Sequence, residues 1–322
     1  MNTQKTLAKA IGAAAIALSG TASAALFMPP ANQPLYFKFT NKEQICTDGS
    51  NCITPPTTTP GYNLPSGLGA TEQNWGILDV TQMFLGDISV DPILYPKTGF
   101  PIFNEGQNGG QQITGIFYGV QAYPPSPANP IRSTSGYVDF WFDAPGTAGG
   151  GTLADFATAT PGMRTSANEF TTFTDGIFLG RIAYAPGIDA LGDPNVNIIG
   201  SADPNQVGTG ITGFADSYGD VVDVNGDTII DSADGAWAGL LNGNYFPVLI
   251  DADPTAGVNL VQQQRDFRFK NSYNLLTQWS DAGITGAISD DPARVFSVPE
   301  PGSLALMGLG LVGAGLISRR RK

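Results

Sequence analysis

The chain contains no histidine. That absence excludes Ser-His-Asp and Cys-His nucleophile pairs, a histidine general base and every His-ligated zinc site. Cysteine is nearly absent as well, with only Cys46 and Cys52 in 322 residues. Charge is scarce: Asp, Glu, Lys and Arg together make up 14% of the chain, against roughly 25% in an ordinary soluble domain. Between Arg181 and Arg265 there is no cation at all, yet there are eleven Asp. What the chain has instead is Gly (41) and Pro (24), about a fifth of all residues, with no Gly-X-Y period. Apolar residues make up 42%, enough for a sizeable core. This composition disfavours coiled coils, helical bundles and charge-driven disorder, and it favours short strands joined by many turns.

Short runs rich in β-branched and aromatic residues recur from Trp75 onward, and turn clusters such as Tyr123–Pro130 and Ala144–Thr152 separate them. The runs are Trp75–Val80, Gln112–Gln121, Gly136–Phe142, Phe170–Tyr184, Val196–Ile199, Tyr245–Ile250 and Asp266–Tyr273, and an earlier one lies at Leu35–Phe39. Tyr137–Phe142 and Arg265–Lys270 alternate with a partial period of two, as half-buried strands do. The pattern predicts an all-β fold, an antiparallel β-sandwich of jelly-roll-like form, with the strand aromatics in its core. The exported domain is expected to span residues 25–297, with a loop-rich part at 25–74 and an acidic region at 216–253.

Both ends are built for export. Lys5 and Lys9 precede the apolar run Ala10–Leu18, and Ala22-Ser23-Ala24 forms an A-x-A cleavage site. Residues 1–24 therefore read as a secretory signal peptide handled by the Sec translocon, with cleavage between Ala24 and Ala25. At the other end Val298-Pro299-Glu300-Pro301 precedes an uncharged run, Ser303–Ser318, and Arg319-Arg320-Arg321-Lys322 closes the chain. Sixteen helical residues span about 24 Å, slightly less than a ~30 Å hydrocarbon core, and the terminal arginines can snorkel across the difference. By the positive-inside rule the basic tail 319–322 stays cytoplasmic and the domain lies on the far side. Gly308, Gly310 and Gly313 spell G-x-G-x-x-G, but no acidic residue follows where a nucleotide site needs one, so they read as small residues of a membrane helix.

The tail, residues 298–322, resembles the PEP-CTERM sorting signal of Gram-negative bacteria: a Pro-Glu-Pro motif, a hydrophobic helix at 303–318 and an Arg-rich end. The resemblance implies processing by an exosortase after transient membrane insertion. It also implies release to the cell surface or extracellular matrix, in company with exopolysaccharide, biofilm or floc formation. Without residues 1–24 and 303–322 the chain keeps ten Lys and Arg against 28 Asp and Glu, a net charge near −18. Such a chain is not suited to nucleic acid; it is suited to cations.

The cysteine pair, six positions apart in an exported chain, reads as a disulfide, with free thiols or a metal site as rival readings; no further soft ligands exist for the latter. A loop this small contributes about 2–3 kcal/mol.

One stretch carries chemistry. Counting Asp223 as position 1, oxygen side chains fall at Asp223, Asn225, Asp227, Asp231 and Asp234, positions 1, 3, 5, 9 and 12. Ile229 at position 7 offers its carbonyl and Ile230 is apolar at position 8. That is the ligand order of an EF-hand-type Ca²⁺ loop, and it resembles the Asp-terminated loop of dockerin repeats. Thr228 stands where such loops have Gly, no second loop follows, and Ser232–Leu241 is expected as the exit helix. Three functions fit: a non-catalytic matrix protein, a calcium-assisted lectin-like domain engaging exopolysaccharide or cell-surface polymers, or a glycoside hydrolase working through two carboxylates. The first is preferred.

Overall fold

A computed structural model describes residues 26–46, 72–86, 100–107, 110–122, 131–144, 151–189, 196–202, 213–251, 259–280 and 284–296. The strands among them are β1 (Pro34–Cys46), β2 (Asn74–Leu85), β3 (Phe103–Asn104), β4 (Gln112–Ala122), β5 (Ile131–Thr134), β6 (Tyr137–Asp143), β7 (Arg164–Ser166), β8 (Glu169–Phe170), β9 (Ile177–Ala185), β10 (Ile198–Ala202), β11 (Gly213–Val221), β12 (Phe246–Asp251), β13 (Leu260–Arg265), β14 (Phe267–Leu275) and β15 (Ile284–Phe296). One turn of α-helix, α1, covers Ala238–Leu241. The expected all-β, antiparallel character is what the described residues show.

An eleven-stranded antiparallel sheet runs β10-β5-β4-β6-β9-β11-β14-β15-β1-β2-β3, and a further pairing between β2 and β4 closes it. The result is a ring: β1, β2, β4, β6, β9, β11, β14, β15 and back to β1. Its opposite sides face each other across a core, as the sheets of a sandwich do. Neighbours follow chain order around the ring, so the topology is an up-and-down meander. This corrects the jelly-roll expectation, since a jelly roll needs Greek-key crossovers.

Each ring strand supplies the interior: Phe37, Leu78, Phe117, Phe140, Leu179, Val221, Phe267 and Val295 belong to one buried cluster. A second cluster lies on the outer face of β2, β4 and β6, where Trp75, Ile77, Ile116, Tyr118 and Trp141 meet Ala159, Phe170 and Phe173. The excursion 151–176 thus covers that face as a third layer. Burial on both faces explains why β2 and β6 show only partial alternation: six consecutive residues of each are buried.

Buried ion pairs brace the ring's outer face and fasten the layer over it. Arg181 Nε and Nη2 donate to the two oxygens of Asp139 at 2.7 and 2.8 Å, and Tyr118 Oη donates to the same carboxylate at 3.2 Å. Burial opposes charge on Arg181, but the Asp139 hydrogen bonds outweigh it and keep the guanidinium protonated. Arg164, on β7, faces Glu72 in a two-point ion pair and lies 4.3 Å over the Trp75 ring.

Two further expectations need correction. The run Phe170–Tyr184 is interrupted: β8 stops at Phe170, and a turn through Thr172, at φ +67°, precedes β9. At Gly176, which leads into β9, a Cβ would lie 2.4 Å from Phe142 O, so only glycine fits. The part expected to be loop-rich contains all thirteen residues of β1. β15 carries Pro292, yet it is an interior strand paired with β1 along its whole length. Pro292 has no N–H to donate. It sits where β14 and β15 leave residues 270–272 and 290–292 unpaired.

Candidate functional site

The acidic loop leaves the ring where β11 ends. Val222 N–H donates to Arg181 O at 2.9 Å, which holds the departing chain against β9. Asp266 clips the neck of the excursion, accepting Val221 N–H at 2.9 Å and Asn244 N–H at 2.7 Å. Between these points the loop is organised by its own side chains. Asp223 accepts Gly226 N–H and Thr228 N–H, each at 2.6 Å. Asn225, Asp227 and Asp231 each accept the amide two residues on, from Asp227, Ile229 and Ala233, at 2.7–2.8 Å. These are Asx turns, and they explain why Asp and Asn occupy alternate positions.

Asp234 closes the loop. It is fully buried and accepts Val224, Asn225 and Asp231 N–H at 2.7, 2.9 and 3.1 Å. Burial works against its charge, but those backbone donors, together with a hydrogen bond linking it to Asp223, hold its carboxyl below the usual range. The first and last acids of the loop therefore meet. Among the described residues no three acidic side chains stand close enough together to hold a metal ion.

Backbone conformation supplies the rest. Gly226 and Thr228 adopt φ of +79° and +75°. The left-handed turn expected at the sixth position is present on a β-branched residue, a strain of roughly 1–2 kcal/mol that the Thr228–Asp223 hydrogen bond helps to hold. Ile229 is exposed and Ile230 packs on the interior core.

The exit helix is shorter than expected. In place of Ser232–Leu241, only Ala238–Leu241 is helical. Gly235, at φ +139°, breaks the helix, and the next two amides turn outward: Ala236 N–H bonds Phe178 O and Trp237 N–H bonds Leu179 O, at 3.0 and 2.8 Å. A Cβ on Gly235 would stand 2.6 Å from the Gly180 backbone, so the chain can pass only as glycine. Trp237 then enters the core, donating Nε1–H to Phe27 O at 2.9 Å with its ring against Phe27 and Phe37. The loop is thus strand–loop–short helix, unlike the helix–loop–helix of an EF-hand.

Composition alone did not single out several buried acids. Glu43, on β1, faces the ring interior and accepts Asn74 Nδ2–H at 3.0 Å; burial pushes its carboxyl up to about 7, against that hydrogen bond. Asp79 is pushed up to about 8 by burial and by the neighbouring Glu105. Burial likewise raises Asp143 and Asp266, each to about 6. Asp79 and Asp143 lie among apolar strand neighbours, which was the available signal, whereas Glu43 sits between Lys42 and Gln44 and carried none. The four tryptophans, Trp75, Trp141, Trp237 and Trp279, are all buried.

The remaining predicted site residues fall elsewhere. Cys46 ends β1. Cys52, Ala24, Ala25, Val298, Pro299, Glu300, Pro301, Arg319, Arg320, Arg321 and Lys322 lie outside the described residues. Among the described residues no helix is long and apolar enough to cross a membrane.

β15 ends at Phe296 and the Pro-Glu-Pro motif follows at once, so the chain is of the class in which an antiparallel β domain precedes a C-terminal sorting signal. Residues 297–322 match the family described as the PEP-CTERM protein-sorting motif. The chain therefore carries that motif, which links it to the exosortase sorting pathway. No curated protein and no solved structure matches the chain.

Proposed function

We propose that this is an exported, non-catalytic component of the cell surface or extracellular matrix, released by an exosortase and working beside exopolysaccharide in biofilm or floc formation. The sorting motif at residues 297–322 carries this reading. Signal-peptide features at residues 1–24 and the net negative charge support it. Replacing Arg319, Arg320 and Arg321 together by Ala is expected to leave the protein in the inner-membrane fraction with an intact C-terminus. Fractionation followed by mass spectrometry checks this, and release at wild-type levels would sink the reading. Incubation with the producing cells' own polysaccharide is expected to give no oligosaccharide release; reproducible release would make the protein a hydrolase.

The acidic loop is proposed as a Ca²⁺ site. Its donors are all oxygens, which suits a hard cation. Asp223, Asn225, Asp227, Asp231 and Asp234 would hold the ion with the Ile229 carbonyl only by giving up backbone amides they accept here and drawing together, and Ca²⁺, when bound, would supply the positive charge for that rearrangement. Calcium is expected to raise the melting temperature, by a stabilisation of about 2.7 kcal/mol at a hundredfold excess over Kd. Asp223→Asn and Asp231→Ala are each expected to abolish the gain. Asp189→Ala, outside the loop, should retain it. Scanning fluorimetry at constant ionic strength, with Mg²⁺ as control, decides; equal responses from wild type and Asp223→Asn would reduce the loop to a structural turn.

A further inference from the structure

The ring has two ends, and they differ. At one end β1 begins, β11 and β15 finish, and the acidic loop and α1 sit. At this end the core is capped by aromatics in mutual contact, Phe27 on Phe103 at 5.4 Å and on Trp237 at 6.2 Å between ring centroids. Around the cap stand side chains that ordinary folding would bury. Phe100, three residues before Phe103, is 97% exposed; Ile229, in the loop leading to Trp237, is 58% exposed; and Met28, next to Phe27, and Val224 are exposed too. Isolated exposed apolar residues need no explanation, but four placed around one end of a domain mark an interaction surface.

The chain itself indicates what covers this surface. β15 finishes at Phe296, at this end. Only Ser297–Gly302, six residues, separate it from the uncharged run Ser303–Ser318. Six extended residues reach at most about 22 Å. If that run crosses the bilayer, this end of the ring can never be far from the lipid surface, and it is the end that presents the apolar side chains.

We infer that, while the C-terminal segment is inserted, the Met28–Phe100–Val224–Ile229 end seats in the interfacial layer of the membrane. The inference rests on the anchor reading given above. The acidic loop does not bar it: Asp223, Asp227 and Asp231 already accept backbone amides and Asp234 is buried inside the loop, so Val224 and Ile229 can lie at headgroup depth, no deeper than the roughly 5–10 Å of an interfacial helix, with the loop's outer carboxylates still hydrated. Phe214, which opens β11 at the other end, is 55% exposed and should stay in water. Exosortase cleavage would release the contact, because the apolar side chains alone give a weak hold.

The full chain, reconstituted into phosphatidylcholine vesicles with or without brominated acyl chains, tests this. The native tryptophans are buried and supply a constant background. Single variants Phe100→Trp, Ile229→Trp, Phe214→Trp and Met307→Trp add one reporter each. Bromine is expected to quench the Met307→Trp reporter most, the Phe100→Trp and Ile229→Trp reporters several-fold more than the Phe214→Trp reporter, and the last scarcely. Quenching of Met307→Trp with Phe100→Trp and Ile229→Trp no more quenched than Phe214→Trp overturns the docking inference and leaves the anchor intact. An unquenched Met307→Trp overturns the anchor, and docking with it. If Ile229→Trp fails to fold, Phe100→Trp carries the same decision.

Discussion

Raising the pH from about 5 to about 8 should lower the stability of the folded domain, and Glu43→Gln should remove a large part of that loss. Glu43 has an ordinary value of 4.5 and about 7 when folded. Between those values the native state holds a proton that the unfolded chain has released, so the slope of unfolding free energy with pH is negative. The stabilisation is fully present below pH 4.5 and is gone once the pH has risen through 7; for a group this deeply buried it amounts to roughly 3 kcal/mol. Asp79, at about 8, Asp143 and Asp266, at about 6, act in the same direction over overlapping windows. Asp234, held low, acts oppositely but below pH 4. Urea titrations at pH 5, 6, 7 and 8 measure the slope. A stability curve that rises over this range, as salt-bridged carboxylates would produce, would contradict the assignment, as would a Glu43→Gln variant with the wild-type slope.

Arg164→Met should destabilise the protein by about 3–5 kcal/mol, because it leaves Glu72 as an unpaired buried charge. Both side chains are almost completely enclosed. Arg164 also donates to Ser166 O at 3.1 Å and to Ala167 O at 2.6 Å, so one guanidinium holds β7, the following turn and the start of β2 together. Glu72 in turn accepts Gly119 N–H at 2.7 Å. Adding Glu72→Gln to Arg164→Met should recover part of the loss, since the charge is then gone. The near-ultraviolet signal of Trp75 and Trp279, whose tilted rings meet beneath the layer with centroids 5.6 Å apart, reports whether that layer detaches. A single variant with wild-type stability, or a double variant no better than the single, would show that the pair does not hold the layer.

What was legible in the sequence follows from which burial is apolar. The central runs at Trp75–Val80, Gln112–Gln121, Tyr137–Phe142 and Phe267–Tyr273 declare themselves because β-branched and aromatic residues fill them. The second half of β1 does not: Asn41, Lys42, Glu43 and Gln44 are all buried. They are buried by polar partners, Lys42 on the carbonyls of Phe156 and Ala157, Gln44 between Trp75 Nε1 and Trp279 O. A hydrophobic period cannot register such a network. β11 and β15 are hidden in the same way, the one among aspartates and the other by Asp290-Asp291-Pro292. The acidic loop is legible because its logic is local: each Asx side chain caps an amide a few residues away. Its exit was misjudged because Gly235 is set by contact with Gly180, 55 positions earlier in the chain. The sorting motif is legible because it is a linear string, defined by residue order and not by contacts across the fold.

The order of strands around the ring has a temporal consequence. A meander lets each strand find its predecessor as the chain emerges, so seven of the eight pairings in the ring can form by short-range encounters. The seam is different: β1 must meet β15, across the whole length of the domain. Contacts so distant in the chain form late. Until residues 284–296 are available to pair, β1 and β14 are raw edges without a partner between them, and the sheet is an open template for aggregation. The strand that removes both edges is the one that immediately precedes the sorting motif. On the proposed export route, vectorial secretion would finish the seam and deliver the sorting motif at nearly the same moment, so that a chain halted by its C-terminal segment would already be a sealed one.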